Sequence, residues 1–177
     1  MRKVYAMYEV DHLDKVVELT NVPQSSVGAP LPFVVSDECN VVLAYLVSER
    51  DPAWDGTYVN VVGPDSEGKL VAILNLESPY IHMFGPPNDE AFSGHPLAER
   101  GLSPYAAFEI LQSSWIRKLE RMNSVHPHHR PGMFSNERHF VFAFHDSVFE
   151  CIAHGYTTKL VRGSIRSVLP LMMEYFR

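Results

Sequence analysis

Arg138-His139-Phe140-Val141-Phe142-Ala143-Phe144-His145-Asp146-Ser147-Val148-Phe149-Glu150-Cys151-Ile152-Ala153-His154 is the stretch that decides the fold. Two runs rich in aromatic and β-branched residues flank a turn at Asp146-Ser147, the pattern of a β-hairpin. Strand side chains point alternately to opposite faces. An even loop, of two or four residues, sets Phe144 opposite Phe149, Phe142 opposite Cys151 and Phe140 opposite Ala153. One face is then wholly apolar. An odd loop places Glu150 among the phenylalanines, and burying an unpaired carboxylate is costly. The alternation therefore selects the even loop. The same register puts His139 opposite His154 on the other face.

Upstream, strand signals dominate. Val4, Ala6, Tyr8 and Val10 alternate with polar or amphipathic neighbours. Asn40 to Ser48, Thr57 to Val62, Lys69 to Glu77 and Tyr80 to Phe84 are apolar or alternating runs separated by turn residues. Connections this short favour an antiparallel meander, because parallel strands need a long crossover. Asp11 to Leu19 reads as a short helix. Ser103-Pro104 opens a longer one, with Ser as the cap and Pro at the first position. Tyr105, Phe108, Leu111, Trp115, Leu119 and Met122 form its apolar stripe. A last helix is expected from Ser164 or Ser167 to Phe176, with Pro170 in its first turn. The class is α+β: one domain over residues 1–177, with a largely antiparallel, strongly curved sheet, one long amphipathic helix and a C-terminal helix.

The chain has 177 residues and is 46% hydrophobic and 20% charged, enough for a proper core and too apolar for disorder. Its longest apolar run, Val41 to Val47, is far short of the ~20 residues of a membrane span. Cys39 and Cys151 form no CxxC pair, and no Asn-x-Ser/Thr sequon is present. Those features fit a reducing, cytoplasmic setting without membrane attachment. Residues 1–99 carry 5 basic and 15 acidic side chains, and the remainder 10 basic and 6 acidic. With no run of Lys or Arg beyond two and a net charge of −6, a nucleic-acid partner is not expected.

Histidine carries the candidate chemistry. Of nine, six lie between positions 126 and 154. The loop over residues 85–103 holds three glycines and three prolines, and Asp89, Glu90 and His95 offer acid–base groups there. With His82 just before it, this loop is the candidate ligand-binding or catalytic site. A second irregular loop, residues 124–137, carries His126, His128 and His129. His139 and His154, joined by His126 and His128, are the candidate ligands of a divalent transition metal. A helix of about 19 residues, roughly 28 Å, separates the two loops, which argues against a single metal cluster. Cys151 faces the phenylalanines and reads as a small apolar residue rather than a nucleophile. No P-loop, GxGxxG, HExxH or GxSxG motif is present. Two readings follow. The first is a protein that binds a small molecule or a metal, as a carrier or as an enzyme, through the two loops and the histidines near them. The second is a non-catalytic domain that binds a protein partner. A convergent polar pocket favours the first, and a flat apolar patch the second.

Overall fold

A computed structural model of the chain describes residues 8–50, 57 and 61–176. Its elements are β1 (Lys15–Glu18), β2 (Phe33–Ser36), β3 (Val41–Leu46), β4 (Lys69–Glu77), β5 (Ile81–Gly85), β6 (Ala107–Leu111), α1 (Ser114–Asn123), β7 (Arg138–Ala143), β8 (Val148–Ala153), β9 (Gly155–Gly163) and α2 (Leu169–Met173). The single curved sheet expected from the sequence is replaced by two antiparallel sheets, ordered β1-β6-β7-β8-β5 and β2-β3-β4-β9. They belong to two compact units. The first holds the described residues up to Thr20 together with Pro79–His154, and the second holds Asn21–Ser78 and the chain from Gly155 onward. Among the described residues no helix is long and apolar enough to cross a membrane.

The second unit follows its sequence closely at β3 and β4. Val42, Ala44, Val71 and Ile73 lie on one face and pack with Ile165, Val168 and Met172. Pro170 occupies the first turn of α2, as its missing N–H requires. β9 was not foreseen. It pairs along the whole of β4. Thr157, Thr158, Lys159 and Leu160 on it are exposed, so its alternation is faint, and a charged residue suits an edge strand. β5 does not continue the β3–β4 meander. It joins the other sheet, beside β8. The strands expected over 4–10 and 57–62 lie largely outside the described residues.

In the first unit, two helix expectations become strands. The segment 11–19 contains β1, which pairs with β6. The first half of the expected long helix is β6 itself. Tyr105 and Gln112 adopt φ of 62° and 52°, left-handed values that interrupt a helix on both sides of the strand. Phe108 and Ile110 then reach the core with a period of two. The helix cap is Ser113, not Ser103. Its Oγ accepts from the N–H of Trp115 at 3.2 Å and of Ile116 at 3.3 Å. α1 has ten residues and buries Trp115 and Leu119.

The β7–β8 hairpin keeps the even loop but turns one residue earlier than expected. Phe142 pairs with Phe149, Phe140 with Cys151 and Arg138 with Ala153. Phe144 N donates to Ser147 O at 2.8 Å to close the turn. The register therefore shifts by two, and the face of each side chain is unchanged. His139 sits opposite Ile152 rather than His154. His154 instead meets Glu137, with Nε2 3.3 Å from Oε1.

Candidate functional site

Glu150 lies on the strand face away from Phe149 and Cys151, as the alternation requires. That face is covered as well. Val141, Val148 and Ile152 on it belong to a core with Tyr8, Phe108, Ile110 and Trp115. Glu150 is buried there with three donors. The Tyr8 hydroxyl donates to Oε2 at 2.6 Å. His95 Nε2 is 2.9 Å from Oε1, and His139 Nε2 is 2.9 Å from Oε2. Side-chain exposures of 2% for His95, 0% for His139 and 8% for Glu150 mean that bulk water does not reach the cluster. Burial pushes the Glu150 carboxyl up, but the hydrogen bonds from His139 and His95 outweigh it and hold the group at about 2. Burial and the Glu150 charge push the Tyr8 phenol far above its ordinary value.

The second ring nitrogens assign the tautomers. His95 Nδ1 accepts the N–H of Leu97 at 3.2 Å, so its proton is on Nε2, facing Glu150. Ser113 Oγ already accepts two helix N–H groups, and its own proton goes to His139 Nδ1 at 2.8 Å. His139 therefore also carries its proton on Nε2. Both imidazoles use all their nitrogens in hydrogen bonds, and each presents an N–H to the Glu150 carboxylate. Trp115 closes it, stacked on Tyr8 at 5.3 Å and edge-on to His139 at 5.1 Å. The network joins Tyr8, the 3₁₀ turns around His95, the cap of α1 and the β7–β8 pair.

The other expected site residues disperse. Asp89 and Glu90 do not accompany His95 inward. Asp89 accepts a short hydrogen bond from the Tyr105 hydroxyl, which lowers its pKa and lifts the phenol to about 12. His145 Nε2 is 4.0 Å from Asp89, and the hydrogen bond that its Nδ1 donates to Asp146 raises its pKa. Glu90 is exposed. His82 lies on β5, stacks on Phe149 at 5.9 Å, and is lowered by partial burial. His126 and His128 are exposed neighbours with rings 5.6 Å apart. His154 lies two positions beyond Ile152, the partner of His139, and faces Glu137 instead. Among the described residues no three His, Cys, Asp or Glu side chains are grouped to hold a metal ion.

Cys151 is fully buried, and burial raises its thiol pKa, whereas Cys39 is exposed. Thiolate is the reactive form. A thiol reagent is therefore expected to label Cys39 quickly in the native protein and Cys151 only on unfolding. Peptide mass mapping over a time course checks this. Rapid labelling of Cys151 under native conditions contradicts its placement.

A cleft of about 330 Å³ opens where the end of β6 and the first turn of α1 face residues 134–138. The second irregular loop thus contributes its last residues. Arg138 clasps Glu109 through Nε at 2.9 Å and Nη2 at 2.6 Å. Arg117 is paired with Asp11 at 2.5 Å. Glu137 differs. Its side chain is 10% exposed, Oε1 faces His154, and Oε2 has no hydrogen-bond partner. Burial raises its pKa, and His154 opposes the rise.

The sequence pointed to neither Glu137 nor the hub role of Glu150. A signal existed for the second. A lone acid inside Val148-Phe149-Glu150-Cys151-Ile152-Ala153 sits in a run that is apolar on both faces, the mark of a strand buried on both sides. Such an acid must find buried donors. Comparison with family models, curated proteins and solved structures gave no match.

Proposed function

We propose that the protein binds a small molecule in the cleft between the β6–α1 junction and residues 134–138. The observation that carries this reading is Glu137, a residue of the cleft wall whose buried Oε2 has no partner. A buried polar atom without a partner costs on the order of 1–3 kcal/mol, more when charged. A ligand that supplies the partner recovers that energy on binding. The volume is at the small end of the ~300–1,000 Å³ of ligand pockets. Apolar walls with a few fixed polar groups are also typical of such sites, and Ile110, Ile116 and Phe134 supply the apolar part here. The Glu150 cluster supports the cleft from behind, since Ser113 both caps α1 and holds His139.

An interaction domain is the second reading, favoured by the exposed Met122, Val125 and Met133 at the end of α1 and in the loop after it. A fragment screen on the isotopically labelled protein separates the two. The binding reading expects amide shifts concentrated at 109–117 and 134–138. Shifts confined to 122–133, or none with any fragment, contradict it.

A further inference from the structure

Resting on that reading of the cleft, we infer that its ligand is a small primary ammonium compound with one apolar substituent. The argument compares what the wall has used with what it has left. A bound anion is best held by helix amides or cationic side chains, and both kinds are engaged here. The first-turn amides of α1 would be the natural anion site. Ser114 N donates to Asp14 Oδ1 at 2.6 Å, Trp115 N and Ile116 N to Ser113 Oγ, and Arg117 N to Ser113 O at 3.1 Å. The guanidinium groups of Arg117 and Arg138 are each held by a carboxylate, Asp11 and Glu109.

An acceptor is what remains. Among the described residues, the buried side-chain oxygens without a partner are Ser114 Oγ and Glu137 Oε2, and only Glu137 lines the cleft. An ionised carboxylate only accepts hydrogen bonds. Its carboxylate torsion is broad, so whichever oxygen His154 holds, the other can turn towards a donor. Charge points the same way. Glu109 balances Arg138 within the wall and Asp11, outside it, balances Arg117, which leaves Glu137 with only an imidazole against it. A cation completes the balance. A neutral N–H or O–H donor would satisfy the geometry but not the charge. Leu111, half exposed at 42%, Ile116 and Phe134 flank the same cleft and receive the apolar substituent.

The test titrates the full chain separately with benzylammonium, benzyl alcohol and benzoate, by calorimetry and by amide shifts. The expected result is that benzylammonium binds about tenfold or more tighter than benzyl alcohol, the factor of one charge-assisted hydrogen bond, with benzoate weakest. Glu137→Gln is expected to abolish that preference while leaving benzyl alcohol binding in place. Glu137→Asp, should the amide variant fold poorly, is expected to weaken benzylammonium while keeping the order. Glu90→Gln, exposed on another loop, is expected to change nothing. Equal or tighter binding of the alcohol or of benzoate at residues 109–117 and 134–138 overturns the ammonium assignment and leaves the cleft as a site. Silence of those amides towards all three probes overturns the cleft reading itself.

Discussion

Glu150→Ala is expected to destabilise the protein by about 3–5 kcal/mol, the range for removing one member of a buried, hydrogen-bonded charge network. Three donors lose their acceptor together: the Tyr8 hydroxyl and the Nε2–H groups of His95 and His139. None can turn to water. Neither imidazole can relieve itself by changing tautomer, because Leu97 N–H holds His95 Nδ1 and Ser113 holds His139 Nδ1. Glu150→Gln is expected to cost less, about 1–3 kcal/mol. Its carbonyl can serve His139 and Tyr8, but its amide then faces the His95 donor. Urea titration with an unchanged slope measures both. A loss below about 1 kcal/mol for the alanine variant contradicts the network.

The same group sets an acid response. Its folded pKa, about 2, is below its ordinary value of 4.5. The stability it contributes is therefore fully present above about 4.5 and is lost as pH falls through 2. The contribution is on the order of a few kcal/mol. The wild type is expected to lose stability steadily over that window, and Glu150→Gln to lose markedly less.

Trp115→Ala carries the second large effect, about 3–5 kcal/mol for a fully buried aromatic. Trp115 packs on Tyr8 and His139 at once, so its loss leaves a cavity beside the Glu150 donors. The two substitutions share partners and should not add. A double variant is expected to fall short of the sum by about 0.5 kcal/mol or more. Strict additivity, or a Trp115→Ala loss below about 1 kcal/mol, contradicts the packing.

Trp115 also shows what the sequence could tell. Its burial was legible because an aromatic in an apolar stripe is buried whether the stripe is helix or strand. The element before it was not. Phe108, Leu111 and Trp115 fit a helical period, and Phe108 with Ile110 fit a strand period. The choice was made by positive φ at Tyr105 and Gln112, residues that carry no special preference for it. β4 and the faces of β7 and β8 were legible because one side of each alternates cleanly. Their grouping into two sheets was not, since a short connection such as Ser78 to Tyr80 permits a change of sheet as well as a meander. The hairpin loop parity was fixed by Glu150, but its centre was not, and a two-residue shift exchanged His154 for Ile152 opposite His139. For the site, histidine richness led to His95 and His139 without revealing that both serve a buried glutamate. Glu137 carried no sequence signal, because an acid before a strand is ordinarily solvated.

The most direct test of the proposed site is a crystal structure of the protein soaked with benzylammonium. The account expects the ammonium nitrogen within about 3.2 Å of a Glu137 carboxylate oxygen, with the ring against Ile116 and Phe134. A cleft occupied by water alone at saturating benzylammonium, with Glu137 hydrogen-bonded to water or to another part of the chain, contradicts it.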